Sequence, residues 1–364
     1  MTMYVELQRS GDGPLLAPLP PATLAALCRR AFGPMEPMAA AELLRSGRFN
    51  TTYRITLGSG RTVILRVAPP STAHLFSHER GLLRREYAVQ PVLREAVRQV
   101  PRLLFQDFSQ QLLARDYVFL ECLPGRLWDE LQGSLSPRRN EALWRQLGGL
   151  VRAIHDRAGA AYGRPGAEAG FACWSAAVLA DIDGLIGDLR QLGLDTAAAE
   201  VFRAQVLAHE SALDRCGPPR LLHGDLWPKN ILIDPTGEVP VITGLLDAER
   251  ARWGDPAAEW IFGFLAIPEA FWTAYGANLS GPALAPEALP RRHIYNGRGA
   301  LQLMLEAWRW RLDDGFARRI LAESIDGLRA TTRPPIRNRD AGDGRSATAP
   351  RSGCTPPPLV PALP

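Results

Sequence analysis

Lysine is almost missing from this chain: Lys229 stands alone among 42 basic residues. Any role that needs a fixed cation elsewhere must therefore fall to arginine. Cysteine is scarce as well. The five that occur (Cys28, Cys122, Cys173, Cys216, Cys354) are odd in number, scattered and never spaced C-x-x-C, which offers neither a disulfide framework nor a zinc site. They read as small buried apolar residues in a reducing compartment. No apolar run approaches the ~20 residues that a membrane-spanning helix requires. Met1 to Gly13 is polar where a signal peptide would have an apolar core. The expectation is a cytoplasmic protein with no membrane partner. The net charge is only +4, and its arginine bias is compositional, so no nucleic-acid partner is expected either.

What is present is an ordinary globular composition on a chain of 364 residues, long enough for two lobes with their own cores. Residues 1 to about 20 carry Gly and Pro and read as loosely ordered. Apolar spacing predicts a helix over Pro21 to Phe32. Two β-rich runs, Thr51 to Leu57 and Arg61 to Ala68, flank Gly58-Ser59-Gly60, a hairpin signal. A helix from about His78 to Glu95 and strands at Arg102 to Phe105 and Tyr117 to Glu121 follow. Leu123-Pro124-Gly125 then breaks the pattern as a hinge. Beyond it, helices are expected over roughly 138–158, 173–191 and 196–214. Short strands at Leu221-Leu222, Ile231 to Ile233 and Val241 to Leu246 follow, and then more helix over 256–330 with a Pro-containing break between Gly281 and Pro290. Residues 331–364 have little to bury and read as a disordered tail. This order, β-rich first and helical afterwards, is an α+β layout of two lobes, 21–122 and 123–330. A doubly wound parallel sheet would alternate evenly.

Within the small β insert lies His223-Gly224-Asp225-Leu226-Trp227-Pro228-Lys229-Asn230. Phosphoryl transfer needs a carboxylate near the attacking hydroxyl, oxygen ligands for Mg²⁺, a cation on the phosphates and a cradle for the nucleotide. Asp225 and Asn230 have the five-residue offset of a kinase catalytic loop, the Asp accepting the hydroxyl proton and the Asn ligating metal. Val241 to Asp247 is a strand ending in a carboxylate, placed to supply a second hard oxygen ligand.

On these residues the sequence resembles the aminoglycoside phosphotransferase family, which also holds choline, homoserine and fructosamine kinases, over roughly residues 20 to 330. Its loop HGDLxxxN is similar to His223–Asn230. Its Gly-hydrophobic-Asp strand with a GDP-containing turn is similar to Gly244 to Asp247 and Gly254-Asp255-Pro256. The Gly-x-x-Asn, strand, hairpin, strand pattern is similar to Gly47 to Asn50 through Arg66. The resemblance implies a bilobal protein-kinase-like fold and an ATP- or GTP-dependent, Mg²⁺-dependent phosphotransferase. Its acceptor would be a small hydroxyl-bearing molecule, an antibiotic or related secondary metabolite, and the protein a monomer or homodimer. It implies Asp225 as catalytic base, Asn230 and Asp247 as metal ligands, and Asn50, Thr51 and Thr52 against the β-phosphate. Glu121 and Leu123 would offer hinge backbone to the purine. The chain departs from the pattern in one place: the third-strand lysine of kinase-like folds is Arg66, with Glu86 as its expected helix partner.

Other readings stand beside these. A nucleotide-binding pseudokinase, or a kinase of primary metabolism of the choline, homoserine or fructosamine type, fits the same loop. Protein-kinase activity does not, since no long activation loop lies between Asp247 and Gly254. His223 reads as structural, His155 as a packed core histidine and Asp255 as a turn brace. Glu249 reads equally as a site residue and as an exposed ion-pair partner, and Lys229 equally as a phosphate contact and as a solvated side chain. Trp308 and Trp310 read as core or groove wall.

Overall fold

The computed structural model describes residues 3–5, 15–44, 47–166, 169–280 and 284–332. The expected tail beyond 332 and part of the expected break after Gly281 lie outside the described residues. In chain order, strand β1 (Met3–Val5) and helix α1 (Pro21–Phe32) precede strands β2 (Met38–Leu44), β3 (Thr51–Leu57) and β4 (Thr62–Val67). Helix α2 (Leu82–Ala96) and strands β5 (Leu103–Asp107) and β6 (Tyr117–Glu121) complete this part. The strands form one sheet in the order β1-β2-β3-β4-β6-β5, antiparallel apart from the β1–β2 pair.

Strand alternation decides which side chains reach which face. On β4, Val63, Leu65 and Val67 are fully buried, packed with Tyr53, Ile55 and Phe119 beneath Leu24 and Leu27 of α1. Those two leucines and Cys28 form the single stripe of a helix begun by Pro21 and ended at Gly33, where φ is 83°. The intervening Ile64 and Arg66 face α2, whose Leu83 and Tyr87 cover Val118 and Leu120. A basic residue is thereby carried to the helix side of the sheet.

The connection to the helical part is pinned rather than loose. Thr243 Oγ1 donates to the Pro124 carbonyl at 2.6 Å. Gly125, at φ 121°, sits where a Cβ would come within 2.5 Å of that hydroxyl. There follow β7 (Arg126–Leu127), α3 (Trp128–Leu131), α4 (Pro137–His155), α5 (Trp174–Gln191), α6 (Ala197–Ala208) and α7 (Glu210–Asp214). Next come β8 (Arg220–Leu222), β9 (Ile231–Asp234), β10 (Val241–Leu245), β11 (Arg252–Gly254), α8 (Ile261–Phe264), α9 (Glu269–Tyr275), α10 (Leu289–Trp310) and α11 (Gly315–Thr332). Sheets β10-β9-β7 and β11-β8 lie amid the helices. The Ser136 hydroxyl and Pro137 start α4, whose Leu143, Leu147, Val151 and Ile154 recur on one face and pack toward Phe271 of α9 and Ile233 of β9. Helices α5, α6, α10 and α11 share a second core around Ile182, Phe202, Leu301 and Leu321. Among the described residues no helix is long and apolar enough to cross a membrane.

Several expectations need correction. Strand β2 was not foreseen: Met-Ala-Ala-Ala-Glu-Leu-Leu has little β propensity and is a strand because it pairs with β3. The two- and three-residue strands β7 and β11 carry too few residues for any periodicity. His78 to Gly81 is turn, not helix, and the helix over 196–214 breaks at His209. Of the first twenty residues, 3–5 and 15–20 are described. Leu15 and Leu19 are buried, and the Leu19 N–H donates to the Tyr53 hydroxyl at 2.6 Å.

Candidate functional site

The loop His223–Asn230 joins β8 to β9 and is held from below by one buried carboxylate. Glu259 accepts from the His223 N–H at 3.1 Å and the Gly224 N–H at 2.7 Å, and its Oε2 lies 3.2 Å from His155 Nε2. His155 Nδ1 is 2.9 Å from the Tyr275 hydroxyl, so this histidine is the packed core residue expected. Burial works to raise the Glu259 pKa, but His155, His223 and the loop amides outweigh it and hold the group below its ordinary range. The His223 ring is fully buried with neither nitrogen partnered among the described residues, and burial lowers its pKa; it is a packing residue. Nothing in the sequence marked Glu259, 34 residues after Asp225; it is recognisable only once the fold brings it under the loop.

Gly224 has φ 83°, and a Cβ there would stand 2.4 Å from the Arg250 carbonyl oxygen. Gly224→Ala is therefore expected to cost about 2 kcal/mol or more through the left-handed backbone and the clash. Thermal melts check this; a variant with the wild-type melting temperature would contradict it.

Asn230 Nδ2 donates to both Asp225 Oδ2 (2.8 Å) and the Asp225 carbonyl (2.9 Å), so the five-residue spacing closes on itself. Burial pushes the Asp225 carboxyl up to about 7, helped by Asp247 and opposed by Arg250 and Asn230. The Leu246 N–H donates to the Asn230 carbonyl at 2.8 Å, which sets Asn230 beside the residue preceding Asp247.

Asp247, two residues past the end of β10, takes a left-handed conformation (φ 67°, ψ 58°), one that Asp tolerates better than most residues. This turn swings Glu249 inward. Around Arg66 the three carboxylates of Glu86, Asp247 and Glu249 offer oxygens within 4.8 Å of one another. Arg66 Nη1 donates to both oxygens of Glu86 (2.8 and 2.7 Å), and Nη2 to Asp247 Oδ1 (2.6 Å) and Glu249 Oε2 (3.1 Å). The Arg66–Glu86 partnership expected from the sequence is present. Glu249 is only 5% exposed, which removes the reading of it as a surface ion-pair partner. One guanidinium cannot neutralise three carboxylates. Burial raises Glu86 to about 7, and burial with the Asp247 charge raises Glu249 well above its usual range. Asp247, although burial works to raise it, is lowered by Arg66. A group of hard oxygen donors with excess negative charge suits a divalent cation.

Asn50 joins this cluster, its Nδ2 donating to Glu249 Oε2 at 2.8 Å while its buried Oδ1 is unpartnered among the described residues. Thr52 pairs across the sheet with Arg66 and shares its face. Thr51 does not: alternation turns it to the opposite side, where its hydroxyl accepts from Ala17 N and Arg115 Nη2, both at 3.1 Å. At the hinge, the Glu121 carboxylate takes Arg102 and its N–H donates to the Arg102 carbonyl at 2.9 Å. The Leu123 backbone has no backbone hydrogen bond among the described residues. Lys229 is exposed, its ammonium 5.0 Å from the Trp227 ring centre. Asp255 Oδ1 accepts from Ala257 N at 3.0 Å, bracing its turn.

Comparison with known proteins agrees with this layout. The phosphotransferase enzyme family matches residues 40–295. No curated protein matches the sequence. Among solved structures, one from Ralstonia eutropha JMP134, provisionally assigned as an aminoglycoside phosphotransferase, is 16% identical at a TM-score of 0.57, covering 85% of this chain and 98% of its own. A thermostable mutant of aminoglycoside phosphotransferase APH(4)-Ia, in complex with ADP and hygromycin B, is 20% identical at 0.54 (85% and 97%). A protein from Thermobifida fusca, provisionally assigned as a fructosamine-3-kinase, is 17% identical at 0.57 (85% and 98%). At such identities these likenesses speak to the fold, the bilobal protein-kinase-like α+β arrangement expected from the sequence.

Proposed function

Because this chain belongs to the phosphotransferase enzyme family, we propose that it transfers the terminal phosphoryl group of ATP or GTP to a hydroxyl of a small molecule. The observation that carries the reading is the convergence of three separated segments. Asp225 is fastened to Asn230, Asn230 is bonded to Leu246, the residue before Asp247, and Asp247 is bonded to the Arg66–Glu86 pair. Asp225 would accept the acceptor's hydroxyl proton, a task that a carboxyl near 7 suits at neutral pH. Asn230 and Asp247 would hold Mg²⁺, which when bound neutralises phosphate oxygens. Arg66 would keep Glu86 through Nη1 and turn Nη2 from Asp247 to the phosphates. Asn50 and Thr52 would line the β-phosphate, Thr51 contributing through its backbone alone, and Glu121 to Leu123 would meet the purine. Residues 21–122 then serve as the nucleotide lobe and 123–330 as the acceptor lobe.

Similar structures, one holding hygromycin B and one named for fructosamine, suggest either an antibiotic-like or a primary-metabolite acceptor. The test is a panel of both with ATP or GTP and Mg²⁺, read by mass spectrometry for a product heavier by one phosphoryl group. No product with any acceptor, alongside measurable nucleotide binding, would favour a second reading. The bond from Arg66 Nη2 to Asp247 at 2.6 Å already occupies a metal carboxylate, as in a pseudokinase that binds nucleotide without turnover.

A further inference from the structure

Beside the catalytic loop lies a cavity of about 60 Å³, room for several water-sized groups, with Gly224 and Arg250 on one wall. Six arginines line it against two carboxylates, Asp181 and Glu259. Glu259 is spent on the loop amides and His155. Asp181 must serve three guanidiniums at once. Arg164 Nη2 (2.9 Å), Arg252 Nη1 (2.7 Å) and Arg298 Nη2 (3.0 Å) all donate to it, from three different stretches of chain. His78, 7% exposed, has no partner for either ring nitrogen among the described residues. The Nε–H groups of Arg85 and Arg298 are likewise buried without partners. Unsatisfied buried donors are costly and uncommon. Trp260 and Phe264, stacked at 4.4 Å, supply an apolar wall.

We propose that the acceptor is an anion, a hydroxylated molecule bearing a carboxylate or phosphate that this arginine-rich cavity grips. The inference rests on the phosphotransferase reading for the word acceptor, but not for the binding. Burial, with a smaller contribution from neighbouring arginines, holds Arg85 and Arg298 down at about 10, although both remain protonated at neutral pH. Arg298 Nη1 also donates to Gln302 (2.7 Å), Gln302 Nε2 to Glu306 (3.0 Å), and Arg250 Nη2 to the same Glu306 oxygen (3.1 Å). The anion site is thus wired by hydrogen bonds to the arginine whose charge bears on Asp225. A polycationic acceptor would find repulsion here.

Calorimetry on the full chain, with ADP and Mg²⁺ saturating to cover the phosphate-binding residues, would use gluconate, glycerol 2-phosphate and kanamycin as probes. At least one anion should bind in the millimolar range or tighter, and which one distinguishes carboxylate from phosphate; kanamycin should not bind. Arg298→Gln should weaken the anion about tenfold or more. Asp181→Asn, by removing the internal competitor, should strengthen it. If Arg298→Gln fails to fold, the opposite-signed Asp181→Asn result still decides. A purely structural ion-pair network would leave the affinity unchanged in both variants, and that outcome, preference for kanamycin, or no anion binding would overturn the proposal. Retained anion binding in Asp225→Asn, with no phosphorylated product from any acceptor in the wild type, would sink phosphotransfer while sparing the anion site.

Discussion

Replacing Asp225 by asparagine is expected to lower kcat by about 10²- to 10⁴-fold, the range that loss of a general base produces, with nucleotide affinity little changed. The same substitution should make the protein more stable above neutral pH. In the folded chain the Asp225 carboxyl titrates near 7, raised above its ordinary value by burial. The folded state therefore holds a proton that the unfolded state has lost between the ordinary carboxylate range and 7, and stability declines as pH rises through that window. At pH 8 the ionised carboxylate carries its full desolvation cost. Asparagine does not, and a gain of about 1–2 kcal/mol is expected, discounted because Asp225 keeps partial access to solvent. At pH 5 the wild-type group is protonated and resembles asparagine, so the two melting temperatures should converge. Melts without Mg²⁺ or nucleotide at both pH values, paired with turnover, test the assignment. Turnover unaffected by the change would remove Asp225 from the mechanism; an unchanged gap between pH 5 and 8 would remove the raised pKa. Wild-type turnover should likewise fall as pH drops below about 7.

The loop around Asp225 was legible in the sequence because its geometry is local. Asn230 follows Asp225 by five positions, and the bond between them needs only the turn at Pro228 to Asn230. Arg66 was legible for a different reason: strand alternation and a helix following at the expected distance bring Glu86 over it, twenty positions later. What the sequence hid depends on contacts between distant stretches. Glu249 lies inside only because Asp247 adopts a left-handed turn. Glu259 reads as an ordinary acidic residue until it is seen beneath two loop amides. The cavity could not be read at all, for Asp181 and Arg298 stand 117 positions apart on α5 and α10. Thr51 shows the converse: the motif includes it, yet one step along β3 turns its side chain away.

Arg66→Met should be the most destabilising single change at the site, at about 3–5 kcal/mol, because it leaves the buried carboxylates of Glu86 and Glu249 and the part-exposed one of Asp247 without the only cation that bonds all three among the described residues. The cost has a definite pH dependence. Without Arg66 the carboxyls of Glu86 and Glu249 must rise further above their unfolded values and that of Asp247 loses what holds it down, so the folded state takes up protons and stability falls as pH rises. The deficit against wild type should be small near pH 5 and largest near pH 8. It should also be relieved by a divalent ion. Oxygens within 4.8 Å of one another offer a ready site once the guanidinium is gone, so Mg²⁺ or Mn²⁺ should raise the melting temperature of Arg66→Met by more than that of the wild type. Arg66→Lys should fall between the two: it restores the charge, but a compact ammonium lacks the fork that bonds Glu86 through one nitrogen and Asp247 and Glu249 through the other. If the lysine variant transfers phosphoryl groups as fast as wild type while melting lower, the arginine is kept for the carboxylate cluster. If its rate collapses, the second nitrogen is needed at the phosphates. A methionine variant as stable as wild type at pH 8, with no response to metal, would mean that the three carboxylates are already neutral and that Arg66 does not balance them.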